Sequence, residues 1–371
     1  MKNFNPGHYL LGCRLDNWLR LLHHNHYRID DDKLLQALAI TGTSLLLSPF
    51  ALMEHALYAP RVRRTELKKD PIFILGFWRS GTTYLQNMLS RDRQFAWADP
   101  MSINLFPVSQ TLGGLLSPIL SRSLKDARPM DNLEYRLDLP MEETFAMMTV
   151  SEHDLLHLLA FPKNYQTYVD CTFLADLSEK DRERWMRQYD FLLEKLTLSK
   201  GGKQLILKSP DNTAHIRELR QQYPDARFIN IHRNPYATLR SAIHMLKKQL
   251  ELMELTERPD DFEELMEDIF VDIFERMYRE MFELQKDIPK NRWVDLAYDD
   301  FVAAPVEKLR SIYDRLEIGD FAAARPNFEA HAESQRNYVK NKLDISPRLR
   351  QRINEKLGFY FEHYGYSMEE E

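Results

Sequence analysis

The sequence predicts an α/β fold built on a central, mostly parallel sheet. Two observations carry this. Short apolar runs at 71–76, 204–208, 226–231 and 292–296 are each followed by a helical pattern, at 81–91, 211–222, 235–250 and 301–316. Strands that alternate with helices bury a sheet between two helical layers through right-handed crossovers. The first strand also runs into a glycine-bracketed turn that opens a helix, the local shape of an anion-binding loop. The expected architecture is a P-loop-like three-layer sandwich with a helical N-terminal cap (residues 1–70) packed on a core domain (71–371), one structural unit overall. Helical insertions interrupt the core at 97–200 and 245–287.

The first strand and its turn read PIFILGFWRSGTTY from Pro71 to Tyr84. Gly76 and Gly81 bracket four residues, as in the nucleotide loop G-x-x-x-x-G-K-[ST], whose backbone N–H groups cradle phosphate oxygens. The lysine position, however, holds Thr82, and the cation sits inside the loop as Arg79. A kinase or ATPase uses that lysine on the β- and γ-phosphates. A loop without it, carrying Arg79 before Ser80, Gly81, Thr82 and Thr83, suits a shorter anion.

The other strands end on residues of the same chemistry. Leu205-Ile206-Leu207 ends on Lys208, then Ser209-Pro210. In open α/β sheets the carboxyl ends of the strands line the ligand crevice, so Lys208 is well placed to meet an anion. The third run, RFINIHRNPYATLRS from Arg227 to Ser241, places Arg233 just past a strand end and Ser241 two turns into the next helix. Pro235 after Asn234 is a first-turn proline. The fourth run, Asp295 to Leu309, carries Tyr298 and Pro305.

With its Arg-Ser-Gly-Thr-Thr loop and these three further segments in order, the chain resembles the sulfotransferases that use 3′-phosphoadenosine 5′-phosphosulfate (PAPS) as donor. The resemblance covers roughly residues 71–365. It implies a 5′-phosphosulfate cradle of Arg79, Ser80, Gly81, Thr82 and Thr83, and an active-site lysine at Lys208. It implies a 3′-phosphate site at Arg233 and Ser241, an adenine-stacking aromatic at Tyr84, and Tyr298 near the base edge. Arg336, Lys340 and Lys342 lie where the family has a late basic loop over the nucleotide, although its Arg-Lys-Gly form is absent. The cytosolic branch's Lys-Thr-His is also absent, so the general base must come from elsewhere. Related members use a glutamate, and Pro140-Met141-Glu142-Glu143-Thr144 is the matching segment. A carboxylate beside Phe145, Met147 and Met148 can have its pKa raised toward neutrality. Glu142 and Glu143 are not separable here; His153 and Asp99 are further candidates.

Composition narrows the partners. The net charge of −6 argues against a general nucleic-acid binder. Two cysteines, Cys13 and Cys171, make no disulfide framework and fit a reducing, cytoplasmic compartment. No metal-ligand spacing of Cys and His occurs, and the transfer chemistry demands no metal if cations and helix N–H groups stabilise the charge. The N-terminus does not read as a cleavable signal peptide. Residues 34–53 lack formal charge over a membrane-spanning length, but their polar residues and Pro49 make a buried helix the first reading and a membrane-surface contact the second. The acidic 245–287 stretch has Leu265, Ile269, Phe270, Ile273, Phe274 and Met277 at helical spacing, which reads as a packed helix, with a lid or homo-oligomer contact as the alternative.

The expected acceptor is a small-molecule hydroxyl, with a steroid, lipid or phenolic alcohol ahead of a carbohydrate. Phe95, Trp97, Phe106, Phe145, Met147, Met148, Phe161 and Tyr165 can line an apolar pocket or serve as core. Two other readings compete: a degenerate P-loop phosphotransferase or NTPase, and a binder that retains the nucleotide site without turnover. The missing lysine and the lack of an obvious Walker B aspartate, since Phe228-Ile229-Asn230-Ile231 runs into His232 and Arg233, oppose the first; Arg79 and Lys208 oppose the second.

Overall fold

The computed structural model describes residues 4–67, 69–123, 137, 139–336 and 343–368. In chain order, α1 (Leu15–His24) and α2 (Leu34–Val62) precede β1 (Ile72–Leu75), α3 (Thr82–Leu89) and β2 (Phe95–Ala96). Then come α4 (Pro100–Asn104), α5 (Gly113–Ser123), α6 (Thr144–Met148), α7 (Tyr165–Val169) and α8 (Glu179–Ser199). β3 (Gln204–Leu207), α9 (Ile216–Gln222), β4 (Arg227–His232), α10 (Pro235–Met253) and α11 (Phe262–Gln285) follow. The chain ends with β5 (Trp293–Ala297), α12 (Tyr298–Ala303), α13 (Pro305–Leu316), α14 (Phe321–Ser334), α15 (Pro347–Lys356) and α16 (Gly358–Tyr364). Two compact units result: Met1–Lys68 with Ala96–Lys203 and Leu246–Asp260, and Lys69–Phe95 with Gln204–Met245 and Asp261–Glu371.

The second unit holds the sheet, in the order β2-β3-β1-β4-β5. β1 pairs in parallel with β3 and β4, and β4 in parallel with β5. β1 and β4 lie in register from Ile72 opposite Arg227 to Leu75 opposite Asn230. Both faces are covered, so β1 is buried at all four residues, the run expected of a central parallel strand. The core joins Ile72, Ile74, Ile206, Ile229 and Ile231 of the sheet to Leu85, Leu89, Leu309 and Ile312 of the helices. A buried polar group of β4 lies on the opposite face of the sheet from Ile229 and Ile231. Asn230 donates to Asp295 Oδ1 and to the Tyr364 hydroxyl, each at 2.8 Å.

α11 packs by its apolar face within this unit, burying Met266, Phe270, Ile273, Phe274 and Met277. Of the expected stripe, Phe270, Ile273, Phe274 and Met277 are buried, while Leu265 and Ile269 are half-buried at its margin. The first unit is helical. Trp18 stacks on Phe161, and Phe161 on Tyr168, at 6.3 Å between ring centres in each pair. Of the aromatics and methionines left open between pocket and core, Phe95, Phe106, Met147, Met148 and Phe161 are core. α2 departs from the expectation of a buried helix. Only one of its faces is buried, and that face carries Gln36, Ser44 and Glu54, while leucines point outward.

Candidate active site

The sheet gathers the expected donor residues at the carboxyl ends of four neighbouring strands. Gly76 follows β1, Lys208 follows β3, Arg233 lies just past β4, and Tyr298 follows β5. This is the edge at which open α/β sheets bind ligands.

After β1 the chain turns sharply. Gly76 has φ 137°, and a Cβ there would lie 2.5 Å from the Ile231 carbonyl oxygen. Two side chains hold the turn. The Gly76 N–H donates to Thr213 Oγ1 at 2.9 Å, and the Phe77 N–H to the Tyr278 hydroxyl at 3.2 Å. Arg79 is left-handed at φ 71°, an uncommon state for a residue with a side chain. Gly81, at φ 110°, is the N-cap of α3, and its Cα is faced so closely by the Tyr298 ring that any Cβ would collide with it. The first N–H groups of α3 therefore open onto the loop with no intrahelical acceptor. The buried Ser80 hydroxyl has no hydrogen-bond partner among the described residues. An unsatisfied buried hydroxyl beside helix N–H groups and an arginine fits a bound oxyanion.

Cations converge on this loop. Lys208 is only 1% exposed, with Nζ 3.5 Å from Thr83 Oγ1. Arg79 Nε donates to Ser241 Oγ at 3.1 Å. Arg233 donates to the Arg79 carbonyl at 3.3 Å and lies 4.5 Å from the centre of the Tyr298 ring. The Tyr360 hydroxyl donates to the Arg233 carbonyl at 3.1 Å. Burial pulls the Arg233 guanidinium below its ordinary value; the Arg240 and Arg79 charges add to this, and Tyr298 and Asp299 oppose it. Burial also raises Tyr298, with Arg233 pulling the other way. Cations kept together against repulsion and desolvation mark an anion site. Tyr84 is half-buried, with its ring 5.1 Å from that of Phe301. A surface cleft of about 830 Å³ elsewhere in this unit, bounded by Phe282, Lys286, Trp293, Arg315 and His363, contains none of these residues.

The sequence profile of the sulfotransferase family matches residues 71–322, from the first strand through α13. The chain belongs to the sulfotransferase family. It is 27% identical over 356 residues to the omega-hydroxy-beta-dihydromenaquinone-9 sulfotransferases Stf3 of Mycobacterium bovis and Mycobacterium tuberculosis, covering 96% of this chain and 90% of theirs. Its fold is similar to the crystal structures of sulfotransferase STF1 from Mycobacterium tuberculosis (TM-score 0.62, 16% identity, 93% of each chain) and STF9 from Mycobacterium avium (0.61, 19%, 96% and 97%). The protein is thus an enzyme that transfers a sulfuryl group, on the P-loop-like fold that the loop spacing predicts.

The base candidates of this sulfotransferase belong to the first unit. Glu143 is fully buried and accepts from the Tyr189 hydroxyl at 3.2 Å. Glu142 is half-buried. Asp154, which the sequence reading missed, accepts from Thr144 Oγ1 at 2.7 Å and from the Leu156 N–H at 2.8 Å. Burial pushes its carboxyl up to about 6, and the Glu142 charge adds to the rise. Asp99 is occupied structurally: it caps α4 through the Ser102 N–H and pairs with Lys200. His153 is tied to Arg184 at 2.9 Å, within reach of Asp181 and Glu152. Lys340 and Lys342 lie outside the described residues. Thr213, Tyr278 and Tyr360, which hold the loop and Arg233, had no sequence signal beyond Thr213 lying five residues past Lys208.

Proposed function

We propose that this sulfotransferase takes its sulfuryl group from PAPS and passes it to the hydroxyl of an apolar lipid alcohol, giving a sulfate ester and adenosine 3′,5′-bisphosphate. The observation that carries the donor is the convergence of Arg79, Lys208 and Arg233 on the carboxyl edge of the sheet, beside a loop whose Ser80 hydroxyl is buried and unsatisfied. The donor supplies a sulfuryl group already activated by its bond to a 5′-phosphate. Arg79, Ser80, Thr82, Thr83 and the start of α3 would hold the 5′ end and stabilise the charge left on its phosphate. Lys208 would face the transferring group. Arg233 and Ser241 would take the 3′-phosphate. Tyr84 and Tyr298 would border the adenine.

In the reaction the acceptor oxygen bonds to sulfur while the bond from sulfur to the phosphate oxygen breaks. The acceptor proton passes to a carboxylate. For that base we assign Glu142, because it is half-buried whereas Glu143 is fully enclosed. The lipid class of acceptor is supported by the hydroxylated menaquinone derivative in the names of the Mycobacterium relatives. The cytoplasm suits the chain, whose two thiols are buried and unpaired, each pushed up to about 12 by burial.

The direct test is incubation with PAPS and a panel of hydroxylated isoprenoid quinones, sterols, phenols and glycans, with mass analysis of the products. Sulfation of an isoprenoid alcohol is the expected result. Sulfation confined to glycans, or ATP-dependent phosphorylation in its place, would overturn the reading.

A further inference from the structure

α2 is built inside out for a helix facing water. Leu35, Leu38, Leu45, Leu46, Leu52 and Leu57 recur at the helical repeat and point outward, and Leu38, Leu45, Leu46, Leu52 and Leu57 are 61–73% exposed. The opposite face carries the polar groups and buries them. Gln36 Oε1 accepts from the Asn5 N–H at 2.7 Å, and Thr41 Oγ1 from Trp18 Nε1 at 2.9 Å. Glu54 Oε2 accepts from the Gln110 and Thr111 N–H groups at 2.9 and 2.8 Å, and its other oxygen pairs with Lys195. An amphipathic helix on a water-soluble surface turns its apolar stripe inward; this one reverses that pattern. Glu54 is the one formal charge from Leu34 to Pro60, so the outward face runs roughly 40 Å without a charge at 1.5 Å per residue.

We propose that this face of α2 lies flat on an anionic lipid bilayer. The helix cannot cross the bilayer while its inward face holds the buried Glu54–Lys195 pair, so it rests in the interfacial plane, with the folded unit taking the place of the usual polar face. Charge complementarity selects the surface: α2 ends in the exposed Arg61, Arg63 and Arg64, with Arg61 one turn from the exposed Leu57, three cations against the exposed Asp31 and Asp32 at its start. Leu115, at the start of α5, is 73% exposed and follows closely on the Gln110–Thr111 backbone that Glu54 grips, adding an apolar group from a second helix. The inference stands on α2 alone; a lipid acceptor of the kind proposed above would be drawn from the same bilayer.

Vesicle flotation of the full chain tests this, using phosphatidylcholine vesicles with and without phosphatidylglycerol. The wild type is expected to float with both and more strongly with the anionic ones, a preference that shrinks as salt rises. The variant L38Q/L45Q/L52Q should bind about a hundredfold more weakly, because three exposed leucines leave the membrane. R61Q/R63Q/R64Q should lose the anionic preference alone. Both variants should keep the wild-type melting temperature and its affinity for adenosine 3′,5′-bisphosphate, which separates failure here from failure of the donor assignment. A wild type that stays unbound with both vesicles would overturn the proposal, as would a leucine variant that floats like the wild type. So would a wild-type dimer, seen by light scattering without lipid, that the leucine variant dissolves while neither protein floats.

Discussion

The guanidinium of Arg233 lies 4.5 Å from the centre of the Tyr298 ring, and the Cδ2–Cε2 edge of that ring closes against Gly81. One tyrosine thus packs against both the loop after β1 and the arginine after β4, which also donates to the Arg79 carbonyl of that loop. Gly81→Ala would push a methyl group into this ring at a φ of 110° that alanine resists. The expected outcome is a loss of about 1–3 kcal/mol in stability by chemical denaturation, with kcat/KM down about a hundredfold. An alanine variant with wild-type kinetics would remove the loop from the catalytic site.

Lys208 has a different fate when replaced. It is almost fully buried beside Thr83, so its charge acts at short range in a poor solvent. Lys208→Ala should lower kcat by at least about a hundredfold while changing affinity for adenosine 3′,5′-bisphosphate only a few-fold. Equal losses in both would make Lys208 a binding residue and not a transfer residue.

At the other end of the donor, Arg233→Ala should weaken PAPS by about 2–3 kcal/mol, measured by calorimetry. Binding of a donor analogue lacking the 3′-phosphate should barely change. Matching losses for the two ligands would contradict the placement of the 3′-phosphate at Arg233.

Much of this site was legible because strand ends are punctuated in sequence. Gly76 and Gly81, Lys208 before Pro210, and Arg233 before Pro235 each sit where an apolar run stops, and the parallel sheet brings those stops to one edge. The helix expected at 301–316 is two helices, because Ala304, with ψ 63°, turns the chain before Pro305 starts α13. The 245–287 stretch also divides, into the end of α10 and α11. β2 went unread because two residues carry no period. Thr213, Tyr278 and Tyr360 act through contacts between residues far apart in the chain, which one sequence does not encode locally. The orientation of α2 was misread for a physical reason: a run of apolar residues was assigned inward, whereas Gln36 and Glu54 find their partners on that side.

Acid should destabilise the first unit through two histidines held neutral. His8 Nε2–H donates to the Met253 carbonyl at 2.9 Å, and its Nδ1 accepts from the Leu10 N–H. His157 Nε2–H donates to the Ser151 carbonyl at 2.9 Å, leaving Nδ1 to the Tyr9 hydroxyl. Burial lowers both to about 4. The unfolded chain therefore binds more protons between about pH 6.5 and 4, and stability falls as pH drops through that window. Asp154 has the opposite sign: raised to about 6, its contribution is full below about pH 4 and lost as pH rises through 6. From pH 7 to 5 each histidine should cost about 2 kcal/mol, with Asp154 offsetting about 1. Urea unfolding followed by tryptophan fluorescence should show the drop, and the variant H8Q/H157Q should show much less of it. An undiminished drop in that variant would assign the effect to other groups.

The Glu54–Lys195 pair fixes the inward face of α2 and yields the sharpest stability contrast. Lys195 is buried, lies 4.7 Å from the centre of the Phe106 ring, and donates to the Phe106 carbonyl as well as to Glu54. Burial pulls its ammonium below the ordinary lysine value, and Glu54 resists that pull. Removing one partner leaves the other charge, or the Gln110 and Thr111 N–H groups, without compensation. Glu54→Ala should therefore cost about 3–5 kcal/mol. The double variant E54A/K195M should recover part of this, because no uncompensated charge remains. Thermal and urea denaturation of the single and double variants measure the coupling. If the two single changes simply add in the double, the pair is a pair in geometry only, and α2 is held by the packing of Ile40 and Val62 instead.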